Sequence, residues 1–155
     1  MAYWLMKSEP DVFGIDDLAK AEGKTTHWDG VRNFQARNFM RDGMRRGDLA
    51  FFYHSNCDET GVAGIVKIVK EGYPDHTAFD KSDPHFDADS DPEKPRWYMV
   101  DVKLVRKFRR TITLATLREH EQRALKGLAL LKRGNRLSIT PVGAAHWKFI
   151  LDLAE

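Results

Sequence analysis

About five or six short apolar runs, separated by segments too irregular to build regular βαβ units, set the limits on what this chain can fold into. Residues 97–105 (WYMVDVKLV) are the plainest of these runs. Tyr98, Val100, Val102 and Leu104 alternate with Asp101 and Lys103, which is the period of a half-buried strand. Residues 2–7 (AYWLMK), 49–54 (LAFFYH) and 61–70 (GVAGIVKIVK) read as further strands, with 25–28 and 136–139 as shorter ones. The run 61–70 should fold back on 49–54 as a hairpin, and Gly64 within it predicts a bulge or a close backbone approach. The expected fold class is α+β. It is a small mixed β-barrel of about five to six strands with flanking short helices, formed by residues 1–155 as one domain.

Helical periodicity is confined to short pieces. Residues 14–22 bury Ile15, Leu18 and Ala19 on one face, and Gly23 closes the helix. Thr113 caps a helix over 114–122, residues 128–132 add a helical turn, and Thr140-Pro141 has the residues of a cap and first turn for a C-terminal helix. Between the strands lies an acidic stretch, 71–95, of about 25 residues. That is longer than loops without a task usually run, so it is either a lid or a poorly ordered insertion.

Composition removes several classes of function. Lys and Arg total 25 against 23 Asp and Glu, a formal charge of +2. A protein gripping a long duplex by charge alone would need a larger excess, because sequence-independent affinity grows with the number of phosphates neutralised. Cys57 is the single cysteine, which rules out an internal disulfide and a Cys-rich zinc site and fits a reducing cytoplasm. No stretch resembles a signal peptide, and no apolar run nears the roughly 18 residues of a membrane span. The chain is expected to be cytoplasmic, with association to the nucleoid compatible. There is no nucleophile elbow, P-loop or dinucleotide-binding glycine pattern. His54 with Ser55 or Cys57 has no defined geometry for nucleophilic catalysis. His76 and His85 among the aspartates of 71–95 match neither an EF-hand nor a zinc spacing, and a solvated loop explains them better. No catalytic residue, cofactor or metal is expected.

Residues 28–41 (WDGVRNFQARNFMR) carry the densest chemistry. Asp29-Gly30 favours a tight turn after Trp28, and Asn33 is a good cap for a helix from Phe34 to about Gly43. Ala36, Phe39, Met40 and Gly43 would form its core face; Phe34, Arg37, Asn38 and Arg41 would form the other. Arginine forks and an aromatic plane suit phosphates and bases. The same pattern also describes a solvated basic helix. Trp28, Phe34, Tyr53, Trp97 and Trp4 sit at strand ends or turns where they either converge on a pocket or fill the core.

The segments Tyr3-Trp4-Leu5-Met6-Lys7-Ser8-Glu9-Pro10, Trp28-Asp29-Gly30-Val31-Arg32-Asn33-Phe34-Gln35-Ala36-Arg37-Asn38, Phe52-Tyr53-His54-Ser55, Pro95-Arg96-Trp97 and Arg136-Leu137-Ser138 together resemble the EVE domain family. The match runs through essentially the whole chain in the family's order. Phe34 stands where the family often has Tyr, which removes a hydroxyl, and Ile139 stands where it often has Val. The resemblance implies a PUA-like barrel, related to YTH and ASCH domains, that reads a modified base flipped into an aromatic cage. It implies Trp28 as one wall, Lys7 and Ser8 as the polar floor, and Asp29 and Asn33 as hydrogen-bonding groups for the base edge. Tyr53, His54 and Ser55 would form the opposite wall, Phe34 would add an aromatic surface, and Ser138 would close the site. Arg37 and Arg41 are assigned to flanking phosphates. The partner expected is nucleic acid carrying a modified base, 5-methyl- or 5-hydroxymethylcytosine in DNA ahead of modified RNA. An enzyme acting on a modified nucleobase or nucleotide, with His54 or Asp29 as acid–base group, is the alternative.

Overall fold

Strand β1 (Tyr3–Ser8) begins the sheet with an apolar run whose alternate side chains go to different cores. The structure, a computed structural model, describes residues 1–155. Trp4 and Met6 join one buried cluster with Ala50 and Phe52 of β3 (Leu49–His54), while Leu5 joins a second with Phe51 and Tyr53. The sheet is therefore covered on both faces. Its six strands run in the order β2-β5-β4-β3-β1-β6, where β2 is Thr25–His27, β4 is Gly61–Pro74, β5 is Tyr98–Thr113 and β6 is Ile139–Val142. The β1–β3 pair is parallel and the other pairs are antiparallel, so the sheet is mixed. It is an open sheet with β2 and β6 at its edges rather than a closed barrel.

The expected hairpin is present, but both later strands are longer than the sequence suggested. β4 takes in Glu71–Pro74, and β5 continues through the basic run after Val105 as far as Thr113. Four register shifts between β4 and β5 make this possible, because each bulge resets which side chains face the core and breaks simple alternation. Gly64 is one of the points where the backbones come close. A Cβ there would collide with the carbonyl of Arg106 and the side chain of Ile15.

The helices are shorter than their periodicity implied. The helix expected over 14–22 is α2 (Ile15–Lys20), with Ile15 and Leu18 buried and Ala19 partly covered, and a further short helix that the sequence did not suggest, α1 (Pro10–Phe13), precedes it. α3 (Phe34–Asn38) passes into a π turn over Phe39–Gly43, closed by Met44 N–H donating to Phe39 O at 2.7 Å. The extra residue in that turn rotates the buried face. Ala36 and Met40 are in the core as expected, but Met44 takes the place assigned to Gly43, which is exposed. α4 (Leu114–Arg118) is a single short segment capped by Thr113. Thr140-Pro141 does not start the last helix. It lies in β6, paired with Leu5 and Trp4 at the sheet edge, where a proline's missing donor costs no ladder bond. The C-terminal helix α5 (Ala144–Leu153) begins after Gly143 and buries Trp147 and Ile150.

Residues 75–97 are tied to the rest of the fold through Asp75 and Asp87, while most of residues 80–94 are exposed. The Asp75 carboxylate is fully buried and accepts from Thr77 N and Oγ1 and from Gly30 N. Asp87 accepts from Trp97 Nε1 at 2.6 Å and pairs with Arg96 at 3.6 Å. No helix is long and apolar enough to cross a membrane.

Candidate functional site

β1 and β3 run side by side in register and end together, so that Lys7 neighbours Tyr53 and Ser8 neighbours His54. Pro10 cannot continue the ladder, and the chain turns into α1. Beyond these strand ends lies a cleft of about 980 Å³. Three groups of residues line it. Lys7, Ser8, Ser55 and Ser138 come from the ends of β1 and β3 and from the segment entering β6. Trp28, Asp29, Gly30 and Arg32 come from the turn after β2, with His85 from the acidic loop. Glu9, Val12 and Phe13 come from the β1–α1 junction, and Arg136 completes the rim.

The backbone holds these groups in place. Lys7 N–H donates to Ser138 O at 2.8 Å, Ser55 N–H to Ser8 O at 3.0 Å, and Ser8 Oγ to Phe13 O at 2.6 Å. Trp28 N–H donates to Val100 O at 2.7 Å, extending the β2–β5 ladder by one residue. Its indole packs edge-on against Phe52 with ring centroids 5.4 Å apart and is 7% exposed, so Trp28 is mainly a core residue that borders the cleft. Gly30 has φ +77°, and a Cβ there would sit 2.6 Å from the His85 imidazole. Only glycine lets the turn and the loop approach this closely.

Arg32 ties the turn to the acidic loop. Its guanidinium donates to Asp75 Oδ2 at 3.0 Å, to His85 O at 2.6 and 3.1 Å, and to Thr77 Oγ1 at 3.3 Å. Burial alone would raise the Asp75 carboxyl, but the hydrogen bonds from Thr77, Gly30 and Arg32 outweigh it and hold it below the usual carboxylate range. Lys7 is the opposite case. Burial is the sole cause acting on its ammonium and keeps its pKa below 10.5. A desolvated cation facing a cleft is ready for an oxygen acceptor from a ligand. Asp29 offers an acceptor nearby and is 3.2 Å from His27 Nε2.

Lys7, Ser8, Trp28, Asp29, Ser55 and Ser138 are thus brought together. The other sequence-derived candidates are not. Asn33 Oδ1 accepts from Ala36 N at 3.0 Å as the cap of α3. Phe34, 53% exposed, stacks on Trp97 at 4.8 Å outside the cleft. Tyr53 is 3% exposed within the second core cluster, and burial pushes its hydroxyl up to about 12. His54 Nε2 accepts from Ile15 N at 3.1 Å. Arg37 donates to Arg96 O at 2.7 Å, and both Arg41 contacts, at 2.9 and 2.8 Å, go to Asp42. Gly30, Arg32, His85 and Arg136 were missed as cleft residues. Gly30, Arg32 and Arg136 lie within the segments that carry the family resemblance, whereas His85 was read as part of a solvated loop.

The His54 contact makes a pH prediction. Burial lowers its pKa from 6.5, and the Ile15 bond needs the neutral ring. A depressed histidine contributes stability that is complete above the unfolded value near 6.5 and is lost as pH falls through the folded pKa. Melting temperature should therefore fall between about pH 7 and pH 5, and His54→Gln, whose carbonyl can still accept, should flatten that limb. An unchanged acid limb in the variant would assign the titration elsewhere.

The EVE domain family model matches residues 2–153. Human thymocyte nuclear protein 1 is 48% identical over 169 residues, covering 99% of this chain and 74% of that protein. The crystal structure of human THYN1 protein in complex with 5-methylcytosine-containing DNA superposes with a TM-score of 0.95 at 49% identity, over 100% of this chain and 98% of that one. A crystal structure of a Pseudomonas syringae protein gives 0.93 at 49% identity, over 99% and 100%. The PUA-like expectation from the sequence holds, with the sheet left open.

Proposed function

We propose, since this chain belongs to the EVE domain family, that it is a binding module for a modified cytosine in DNA, 5-methyl- or 5-hydroxymethylcytosine, taken into the cleft beside Trp28. The observation that carries this reading is the near-identical fold of a relative bound to 5-methylcytosine-containing DNA. The chemistry of the cleft supports it. Cytosine presents an amino donor and two acceptors on its pairing edge, while thymine, which also carries a 5-methyl group, presents a carbonyl where cytosine has the amine. A reader of methylcytosine must therefore recognise the amine as well as the methyl. Asp29 supplies an acceptor for that amine, and the Lys7 ammonium a donor for the ring nitrogen or carbonyl.

Magnitudes show what the cleft has to do. One buried methyl contributes about 0.8 kcal/mol, only about fourfold in affinity. Extracting a base from a duplex costs a few kcal/mol, and stacking returns roughly 1–3 kcal/mol per base. Discrimination then rests on fit and on polar groups left unpaired by the wrong base. The cage is polar-walled, because the aromatic groups bordering it are Trp28, Phe13 and two histidines. Binding alone accounts for this use of the residues, and His54, the candidate acid–base group, has its Nε2 engaged by the backbone.

Tryptophan-fluorescence or anisotropy titrations with matched strands test the reading. Unmodified, 5-methylcytosine and 5-hydroxymethylcytosine DNA should separate in affinity, with RNA of the same sequence weaker than DNA. Equal affinity for all of the DNA strands would sink it.

A further inference from the structure

Five large apolar side chains are conspicuously exposed: Met1, Val12, Phe34, Phe86 and Val105. Only Val12 borders the cleft, and it is 73% exposed. It sits on α1, a four-residue helix that contains no buried residue. The helix is nevertheless firmly held. Val12 and Phe13 N–H both donate to Glu9 O at 2.9 Å, and Phe13 O receives the Ser8 hydroxyl. Asn56 Nδ2 donates to the Glu9 carboxylate at 2.6 Å, and Phe13 packs against the first core cluster. The helix thus presents a stiff β-branched side chain to solvent at the mouth of a cleft.

We infer that Val12 is a wedge that enters duplex DNA at the position vacated by the base held in the cleft. The inference rests on the base-reading function and adds the partner's form, double-stranded DNA, to it. Removing a base from a duplex leaves a gap between its neighbours, and an apolar side chain that fills the gap offsets part of the unstacking cost. A wedge must be apolar, exposed, rigidly mounted and beside the pocket. Phe34 is apolar and exposed, but Trp97 stacks on its ring, the Arg37 guanidinium lies 4.9 Å from the ring centroid, and it does not border the cleft. Val12 meets all four conditions.

The test compares a duplex containing one central 5-methylcytosine with the same strand alone, using wild type, Val12→Ala and Val12→Leu. Because Val12 is exposed, none of these should affect folding. Val12→Ala should weaken duplex binding roughly tenfold, leave single-strand binding within about twofold, and Val12→Leu should restore the duplex affinity. A 2-aminopurine next to the modified base should brighten on binding wild type and much less with Val12→Ala. Unchanged duplex affinity in Val12→Ala, or an equal loss on both forms, overturns the wedge while wild-type selectivity for the modified strand keeps the base-reading function intact. Loss of selectivity by wild type itself, on single strands and duplex alike, overturns both.

Discussion

Asp75→Ala is expected to destabilise the protein by about 3–5 kcal/mol, the combined cost of leaving the Gly30 and Thr77 donors without an acceptor. Asp75 is fully buried, whereas the Arg32 side chain is 24% exposed. The carboxylate receives hydrogen bonds from Gly30 N at 2.8 Å, Thr77 N at 2.8 Å, Thr77 Oγ1 at 2.6 Å and Arg32 Nη1 at 3.0 Å. Alanine leaves the Gly30 amide and the Thr77 amide and hydroxyl without their acceptor, while the Arg32 guanidinium keeps His85 O and Thr77 Oγ1; these groups lie where the turn after β2 meets the acidic loop. Cleft and fold should therefore weaken in the same variant. Asp75→Asn keeps the shape and loses the charge, and about 1.5–3 kcal/mol is expected for the lost charged hydrogen bonds. The carboxyl's depressed pKa adds a pH signature: its contribution is present above 3.8 and is lost as pH falls through the folded value. Urea denaturation at pH 7 measures both variants. A loss below about 1 kcal/mol for alanine would mean that the loop is held by its other contacts.

Lys7→Met should lower affinity for the modified strand roughly tenfold to a hundredfold, the range for losing a charge-assisted hydrogen bond of about 1.5–3 kcal/mol. Stability should not fall, since a desolvated ammonium is replaced by a thioether of similar length. The pH profile separates this role from simple packing. Burial disfavours the charged form of Lys7, so binding should decline as pH rises toward a value below 10.5. In Lys7→Met that decline should be absent. Equal affinity in variant and wild type would move the base-edge donor to another residue. Trp28→Ala is a poorer probe of the site, because the indole belongs to the core cluster and its removal costs about 3–5 kcal/mol in stability.

Much of the framework was legible in the chain. Alternation located the strands, Asn33 and Thr113 marked helix starts, and Gly64 marked a close approach. The errors share a cause. Bulges along β4–β5 and the π turn after α3 interrupt a regular period, and apart from Gly64 nothing local announces them. Proline at 141 reads as a helix start but also suits a sheet edge, and only the strand order decides between them.

The site divides in the same way. The sequence by itself determined which residues stand at strand ends and turns: Lys7 and Ser8 before Pro10, Trp28 and Asp29 before Gly30, Ser55 after β3. These are consequences of local backbone rules, and the family's motifs contain the same segments. The tertiary structure alone decided which of them meet, and assigned Phe34, Tyr53, His54, Arg37 and Arg41 to other contacts. It also brought in Asp75 and His85, which lie 43 and 53 residues from their partner Arg32. The reason is physical. A period of two or 3.6 residues fixes the direction of a side chain relative to its own element, whereas a cleft is set by how distant elements close on one another.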